Sequence, residues 1–180
     1  MTRSEHPPLE ASPESLYGAQ AIAARVAKAA KMVETTSGDD VLVVSLLSGS
    51  MHFLVDLLRA LGGDPRYELI HVEIEQQDGE EGLRALHYPI PFQVEGADIV
   101  LLRDVTTTGV IETYLEQQLL QHGAERVRTI SLVDVPTRRT TDYDSAFSLF
   151  SAPAEVTRLV GYGLKREGRF GNLPFIGQIS

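Results

Sequence analysis

The sequence predicts an α/β fold: a mostly parallel, twisted sheet flanked by helices. Two strand–turn–helix units carry that prediction, at residues 41–61 and 99–122. Each opens on a short run of valine, leucine or isoleucine, passes through small residues and continues at helical spacing. A third apolar run, residues 127–133, completes the βαβ pattern of parallel strands joined by a crossover helix. At 180 residues the chain has room for one domain and a short appendage. We expect a flexible tail over residues 1–13 and a single domain over residues 14–180.

The tail carries Pro7, Pro8 and Pro13 among small and charged residues. A helix is expected next, with Ser12 or Ser15 as N-cap and Pro13 at the first helical position. Ile22, Val26, Ala29 and Val33 mark its apolar face, and residues 35–38 end it. Residues 41–47 are continuously apolar around Ser45, as in a strand buried on both faces. Ser48, Gly49 and Ser50 break that strand. Phe53, Leu54, Leu57, Leu58 and Leu61 then carry a second helix to Gly62 and Gly63.

Residues 67–75 alternate as a strand, 76–82 form a charged loop and 84–90 return, so a hairpin with a mobile tip is expected. Residues 99–102 are a buried strand, 106–109 a turn of small residues and 110–121 a helix closed by Gly123. The strand at 127–133 stops before Pro136. Residues 147–150 and 159–162 are shorter strand candidates, and 170–179 read as an apolar loop.

Composition removes several classes. There are 25 acidic and 16 basic residues, a net charge of −9, so no nucleic-acid partner held by bulk charge is expected. The absence of cysteine excludes disulfides and cysteine-ligated metals. No apolar run approaches the ~20 residues of a spanning helix. The polar, proline-bearing start lacks a signal-peptide core. We expect a soluble, cytoplasmic protein with no membrane partner.

In open parallel sheets, ligands bind outside the carboxyl ends of the strands. That rule brings residues 48–50, 104–109 and 134–139 to one rim. The turn DVTTTG, residues 104–109, joins a strand end to a helix N-terminus and carries three hydroxyls, which suits an anion. An ordinary connection capped by Thr107 or Thr108 gives the same pattern. Other motifs are weaker. Gly161, Gly163 and Gly168 have the wrong spacing for a dinucleotide fingerprint, and no Walker A sequence is present. The five histidines lack ligand spacing, and no metal ligand set is expected. His71 and His87 read as a cross-strand pair on the hairpin. Asp78, Glu80 and Glu81 read as a solvated loop tip. Arg138 and Arg139 suit either an anion or the open surface.

Four segments occur in a telling order: VVSLLSGSMHFLVDLLRAL (43–61), IVLLRDVTTTG (99–109), SLVDVPTRR (131–139) and VGYGLKREGRFGNLPFIG (160–177). Together they resemble the hypoxanthine-guanine phosphoribosyltransferases, within the type I phosphoribosyltransferases. The resemblance implies the type I fold, with a small C-terminal hood and a mobile hairpin. It implies magnesium-dependent transfer of phosphoribose from phosphoribosyl pyrophosphate to a purine. It also implies a homodimer or homotetramer.

On that alignment the ligand set comprises Ser48, Gly49 and Ser50; the run Arg103, Asp104, Val105, Thr106, Thr107, Thr108, Gly109, Val110 and Ile111; and Val135, Phe150 and Lys165. Asp104 and Thr107 take the catalytic positions. Several positions depart from the family pattern. Arg103 replaces the first of two adjacent acids, and Thr107 replaces the aspartate placed to act as base. Ile111 replaces a threonine that donates to the 5′-phosphate. Ser48 replaces the lysine of the pyrophosphate loop, Val135 the purine-reading lysine, and Lys165 an aspartate near metal and pyrophosphate. Phe150 matches the purine-stacking aromatic across a small gap. The serine–tyrosine pair of the mobile catalytic loop has no counterpart in residues 76–82.

These changes have physical consequences. Threonine is no general base near neutral pH, a step that typically contributes about 10²–10⁴-fold. Valine offers a purine oxygen no donor, so base selection weakens. Arg103 and Lys165 make the old metal site electrostatically hostile. The expected protein binds a nucleotide or phosphorylated small molecule, with purine salvage impaired or lost. Magnesium (Mg2+) is its cofactor if it is active, and none is needed if Arg103 and Lys165 replace the metal. Both side chains swinging out to solvent is the plain alternative. Two further readings stay open: an active transferase using Glu73, Glu75 or Asp134 as acid–base group, and a non-catalytic partner of an active homologue.

Overall fold

The computed structural model describes residues 12–38, 40–47, 49–76, 83–87, 92–153, 155–156 and 158–179. In chain order the elements are β1 (Glu14–Tyr17), α1 (Ala19–Thr36), β2 (Val41–Leu46), α2 (Met51–Ala60), β3 (Arg66–Ile70), β4 (Glu73–Gln76) and β5 (Leu83–His87). They continue with β6 (Asp98–Thr106), α3 (Val110–Gln121), β7 (Arg126–Asp134), a short 3-10 turn at Pro136–Arg138, β8 (Phe147–Ser151), β9 (Leu159–Val160) and β10 (Ile176–Gln178).

All six residues of β2 are buried, as a strand covered on both faces requires. The strand lies inside a five-stranded sheet of order β3–β2–β6–β7–β8, and every pair in it is parallel. Alternation along the strands sorts the core into two halves. Val43, Val100 and Leu102 face α1 and α2, where Ile22, Val26, Phe53 and Leu57 meet them. Leu42, Val44, Ile99 and Leu101 face α3, against Leu115 and Leu119. Crossovers therefore cover both faces, and the loops after β2, β6 and β7 share one rim.

The first helix starts later than its cap signals suggest. Residues 14–17 form a strand instead, paired antiparallel with β10, and α1 begins after an extended Gly18. The reason is tertiary. β9 and β10 form a ribbon with an open edge, and β1 completes it, with Glu14 opposite Gln178. Tyr17 then stacks on Phe150 at 4.1 Å between ring centroids and donates its hydroxyl to the Ser151 carbonyl at 2.9 Å. The same pairing corrects the expectation of a plain loop at 170–179.

The stretch 67–75 is two strands, not one. β3 joins the parallel sheet at its edge beside β2, the chain breaks at His71 and Val72, and β4 pairs with β5. His71 therefore lies outside the hairpin, and Glu73 stands opposite His87. The third strand of the 131–163 region is shorter than expected, because Gly161 turns the chain at φ 91° after Val160. Residues 1–11 of the tail expected over 1–13, and residues 77–82 of the loop expected over 76–82, lie outside the described residues.

If β1 anchors the N-terminal segment, Tyr17 matters in two separable ways. Tyr17→Phe should cost about 0.5–1.5 kcal/mol, the value of one net hydrogen bond. Tyr17→Ala should cost more, about 2–4 kcal/mol, because the stacked ring goes too. Urea unfolding of the two variants checks the order; equal and negligible costs would mean that the strand is not an anchor.

Candidate functional site

The loop after β2 is pinned before it reaches the rim. Ser45 and Ser50 share a buried hydroxyl–hydroxyl bond of 2.8 Å, and Ser50 also donates to the Leu46 carbonyl. Neither hydroxyl of that pair is spare for a ligand. Gly49 presses against the neighbouring strand end: a Cβ there would stand 2.2 Å from the Asp104 Oδ2. Ser48 lies outside the described residues.

Strand β6 delivers Arg103 and Asp104 to opposite sides. Arg103 follows Ile99 and Leu101 onto the α3 face. There its Nε reaches Glu112 Oε1 at 2.5 Å and its Nη1 reaches Asp104 Oδ1 at 3.1 Å. The Glu112 side chain is 3% exposed and that of Arg103 18%. Burial works against the guanidinium charge, but the carboxylates of Asp104 and Glu112 outweigh it and raise the arginine's pKa above its ordinary value. Asp104 Oδ1 also accepts from the Val105 amide at 2.7 Å. Arg103 is thus committed to a buried ion-pair cluster and does not reach into the rim as a stand-in for a metal.

Loop 104–109 is braced from behind. Arg139 donates to the Thr107 carbonyl and to Asp134 Oδ1, each at 2.6 Å. The Thr140 amide and the Thr141 hydroxyl both reach the Thr108 carbonyl at 3.1 Å. Gly109 sits at φ 82°, and a Cβ there would lie 2.5 Å from Thr141 Oγ1, so this corner needs glycine. With the carbonyls held, the amides of Thr107, Thr108 and Gly109 donate to no backbone carbonyl among the described residues. They open α3 at its N-terminus, which is the arrangement that favours an anion.

Other expected residues fall elsewhere. Thr106 is buried and bonded to Ser131 at 2.7 Å, so its hydroxyl fastens β6 to β7 and does not serve a ligand. Thr108 is exposed and reaches the Val110 amide at 3.4 Å. Ile111 packs on the α3 side of the core. Asp134, 5% exposed and paired with Arg139, is a brace and not a free acid–base group. The side chains of Glu73 and Glu75 lie outside the description. Phe150 is 8% exposed, and the Tyr17 ring stacks on one of its faces.

A cavity of about 250 Å³ opens beside Thr107, with Val105, Val135 and Lys165 among its walls. Arg158 and Arg166 join them there, two residues that sequence reasoning did not single out. Their signal was the run of bases between 158 and 169. Wider hollows of about 490 and 480 Å³ lie at the amino ends of β2 and β3, the wrong end of the sheet for a ligand.

A parallel sheet with an anion-suited loop at the third strand's carboxyl end, hooded by a C-terminal ribbon, defines a type I phosphoribosyltransferase scaffold. The comparisons agree. The phosphoribosyl transferase domain family matches residues 12–166. The hypoxanthine-guanine phosphoribosyltransferase of Lactococcus lactis is 31% identical over 143 residues, 78% of this chain and 75% of the relative. That of Streptococcus agalactiae serotype V is 27% identical over 151 residues, 82% of each. A solved hypoxanthine phosphoribosyltransferase from Staphylococcus aureus shares the fold at a TM-score of 0.84 and 22% identity, covering 93% of this chain and 91% of that one. The chain belongs to the phosphoribosyltransferase family, as a hypoxanthine-guanine-like type I member.

No group of three histidine, cysteine or acidic side chains is placed for a metal among the described residues. Asp104, the acid beside the anion loop, already shares an oxygen with Arg103.

The buried cluster makes a measurable prediction. Arg103→Met leaves Glu112 buried without its partner and should cost about 3–5 kcal/mol in urea unfolding. Replacing both, Arg103→Met with Glu112→Leu, should recover most of that loss. A single variant as stable as the parent would show that the pair carries no structural weight.

Proposed function

We propose that this protein binds a nucleotide or another phosphorylated small molecule without metal, and that its purine salvage turnover is impaired. The phosphate would rest on the amides of Thr107, Thr108 and Gly109, with Thr107 and Thr108 hydroxyls beside it and Gly49 bounding the opposite side. Asp104 would face the sugar. Val135 and Thr107 would bound the base.

One observation carries this reading. Thr107 stands between the anion loop and the cavity where a base would have to act, and Asp104 is tied to Arg103. A threonine hydroxyl takes no proton from a purine near neutral pH, and the Arg103 ion pair engages one oxygen of Asp104. Val135 is 1% exposed and brings no donor to a base oxygen. The names of the relatives favour the opposite reading, a working hypoxanthine-guanine transferase with its acid–base group elsewhere. A non-catalytic partner of an active homologue would need neither ligand nor turnover. We place the protein in the cytoplasm as a homodimer or homotetramer, on the pattern its resemblance implies.

Turnover and binding separate these readings. Purified protein is given phosphoribosyl pyrophosphate, magnesium and, in turn, hypoxanthine, guanine, xanthine or adenine. Nucleotide formation should be at least about 10²-fold slower than in an active homologue assayed alongside. Thr107→Asp should raise any residual rate. Inosine 5′-monophosphate should stabilise the folded protein without metal, by about 2.7 kcal/mol at one hundred times its Kd. Robust turnover abolished by Asp104→Asn would overturn the impaired-activity reading. No stabilisation by any nucleotide would leave the partner reading.

A further inference from the structure

The cavity beside Thr107 concentrates positive charge on an otherwise acidic protein. Arg138, Arg158, Lys165 and Arg166 line it, and no acidic side chain among the described residues does. The chain carries 25 acids against 16 bases, so a wall of four bases and no acid runs against its composition. The bases arrive from two directions. Arg138 ends the 3-10 turn that follows β7, and the other three belong to the hood on either side of the Gly161–Leu164 bridge. Between them the walls are apolar, with buried Val135 and half-buried Leu159.

Each feature constrains a ligand. Apolar walls suit the faces of a flat ring. Cationic edges suit an anionic substituent in the plane of that ring, and guanidinium groups grip a carboxylate through paired donors. The volume, about 250 Å³, falls below the roughly 300–1,000 Å³ of drug-sized pockets. A planar base fits that space. The cavity also adjoins Thr107, so one molecule can reach the anion loop and the cationic edge together.

We infer that this cavity recognises a planar base carrying a carboxylate, bound as its 5′-phosphorylated nucleoside. The inference rests on the phosphate-loop reading above and adds the class of base. Charge at the cavity then replaces the missing hydrogen-bond donor at Val135 as the source of base selection.

Orotidine 5′-monophosphate and uridine 5′-monophosphate differ only in the ring carboxylate, so they isolate this term. Both are titrated calorimetrically into the full chain without metal. Orotidine 5′-monophosphate should bind about tenfold more tightly or better, as expected for one charged hydrogen-bonded pair. The preference should shrink as salt rises from about 50 to about 300 mM. Lys165→Ala and Arg166→Ala should each reduce it several-fold, with Arg166→Ala leaving uridine 5′-monophosphate affinity within about twofold. Melting curves confirm that both variants fold. Equal affinity for the two nucleotides overturns the inference and leaves the phosphate-loop reading standing. Binding of neither, by folded protein that binds inosine 5′-monophosphate, overturns the inference alone, and binding of none of the three overturns both. A preference untouched by either variant also overturns the inference, because recognition then lies elsewhere.

Discussion

Arg103 decides what the rim can do. Strand β6 must bury Ile99 and Leu101 under α3, and alternation sends residue 103 the same way. A positive charge delivered beneath a helix is costly unless it is paired. Glu112, in the first turn of α3 and 2% exposed, supplies the pair, and Asp104 closes the cluster from the other side. The strand end, the anion loop and the helix are thereby joined through one guanidinium. The same contact withdraws Asp104's charge from the rim. An acid at position 103 would do the reverse, facing Glu112 across a buried gap and repelling it.

The loop that follows depends on a second set of braces. Arg139 holds the Thr107 carbonyl and Asp134 together, and the chain at 140–141 holds the Thr108 carbonyl. These bonds point the peptide groups one way, carbonyls inward. A loop fixed before a ligand arrives loses little entropy on binding, so its amides can act at full strength. The hood is fixed as well: Tyr162 donates to Asp56 at 2.7 Å, linking the segment around the cavity to α2. Burial and the nearby Asp56 charge both push the tyrosine's pKa upward, so this bond keeps its proton at all ordinary pH.

How legible this was differs by element. Strands β2, β6 and β7 and helices α2 and α3 were visible because their patterns are local: continuous apolar runs, helical spacing, glycine stops. β1 was not, since its partner β10 lies some 160 residues away and the local signals at Ser12 and Pro13 argued for a helix cap. The break at His71 was hidden because alternation runs straight through it. Within the site, the anion loop could be read from its position between strand and helix. The direction of Arg103 was also readable, from the parity of Ile99, Leu101 and Arg103, but attention to what the residue replaced obscured it. The stack on Phe150 was hidden for another reason: nothing in its surroundings along the chain announces Tyr17, 133 positions earlier, as its partner.

The bases around the cavity bring the two halves of the argument together. A phosphorylated ligand needs its charge offset, and in a family built on metal that task falls to magnesium and to acids that hold it. On the resemblance, the acid positions carry Arg103, Thr107 and Lys165, and Arg103 is spent on Glu112. The cavity beside Thr107 is lined by Lys165 with Arg138, Arg158 and Arg166. Simple decay of an active site would scatter substitutions without regard to sign. The change from acid to base that the resemblance implies at position 165, beside three further bases in one small cavity, has a consistent sign. That consistency is what the proposed anion site requires, since gathered like charges repel one another and an anionic ligand offsets that repulsion.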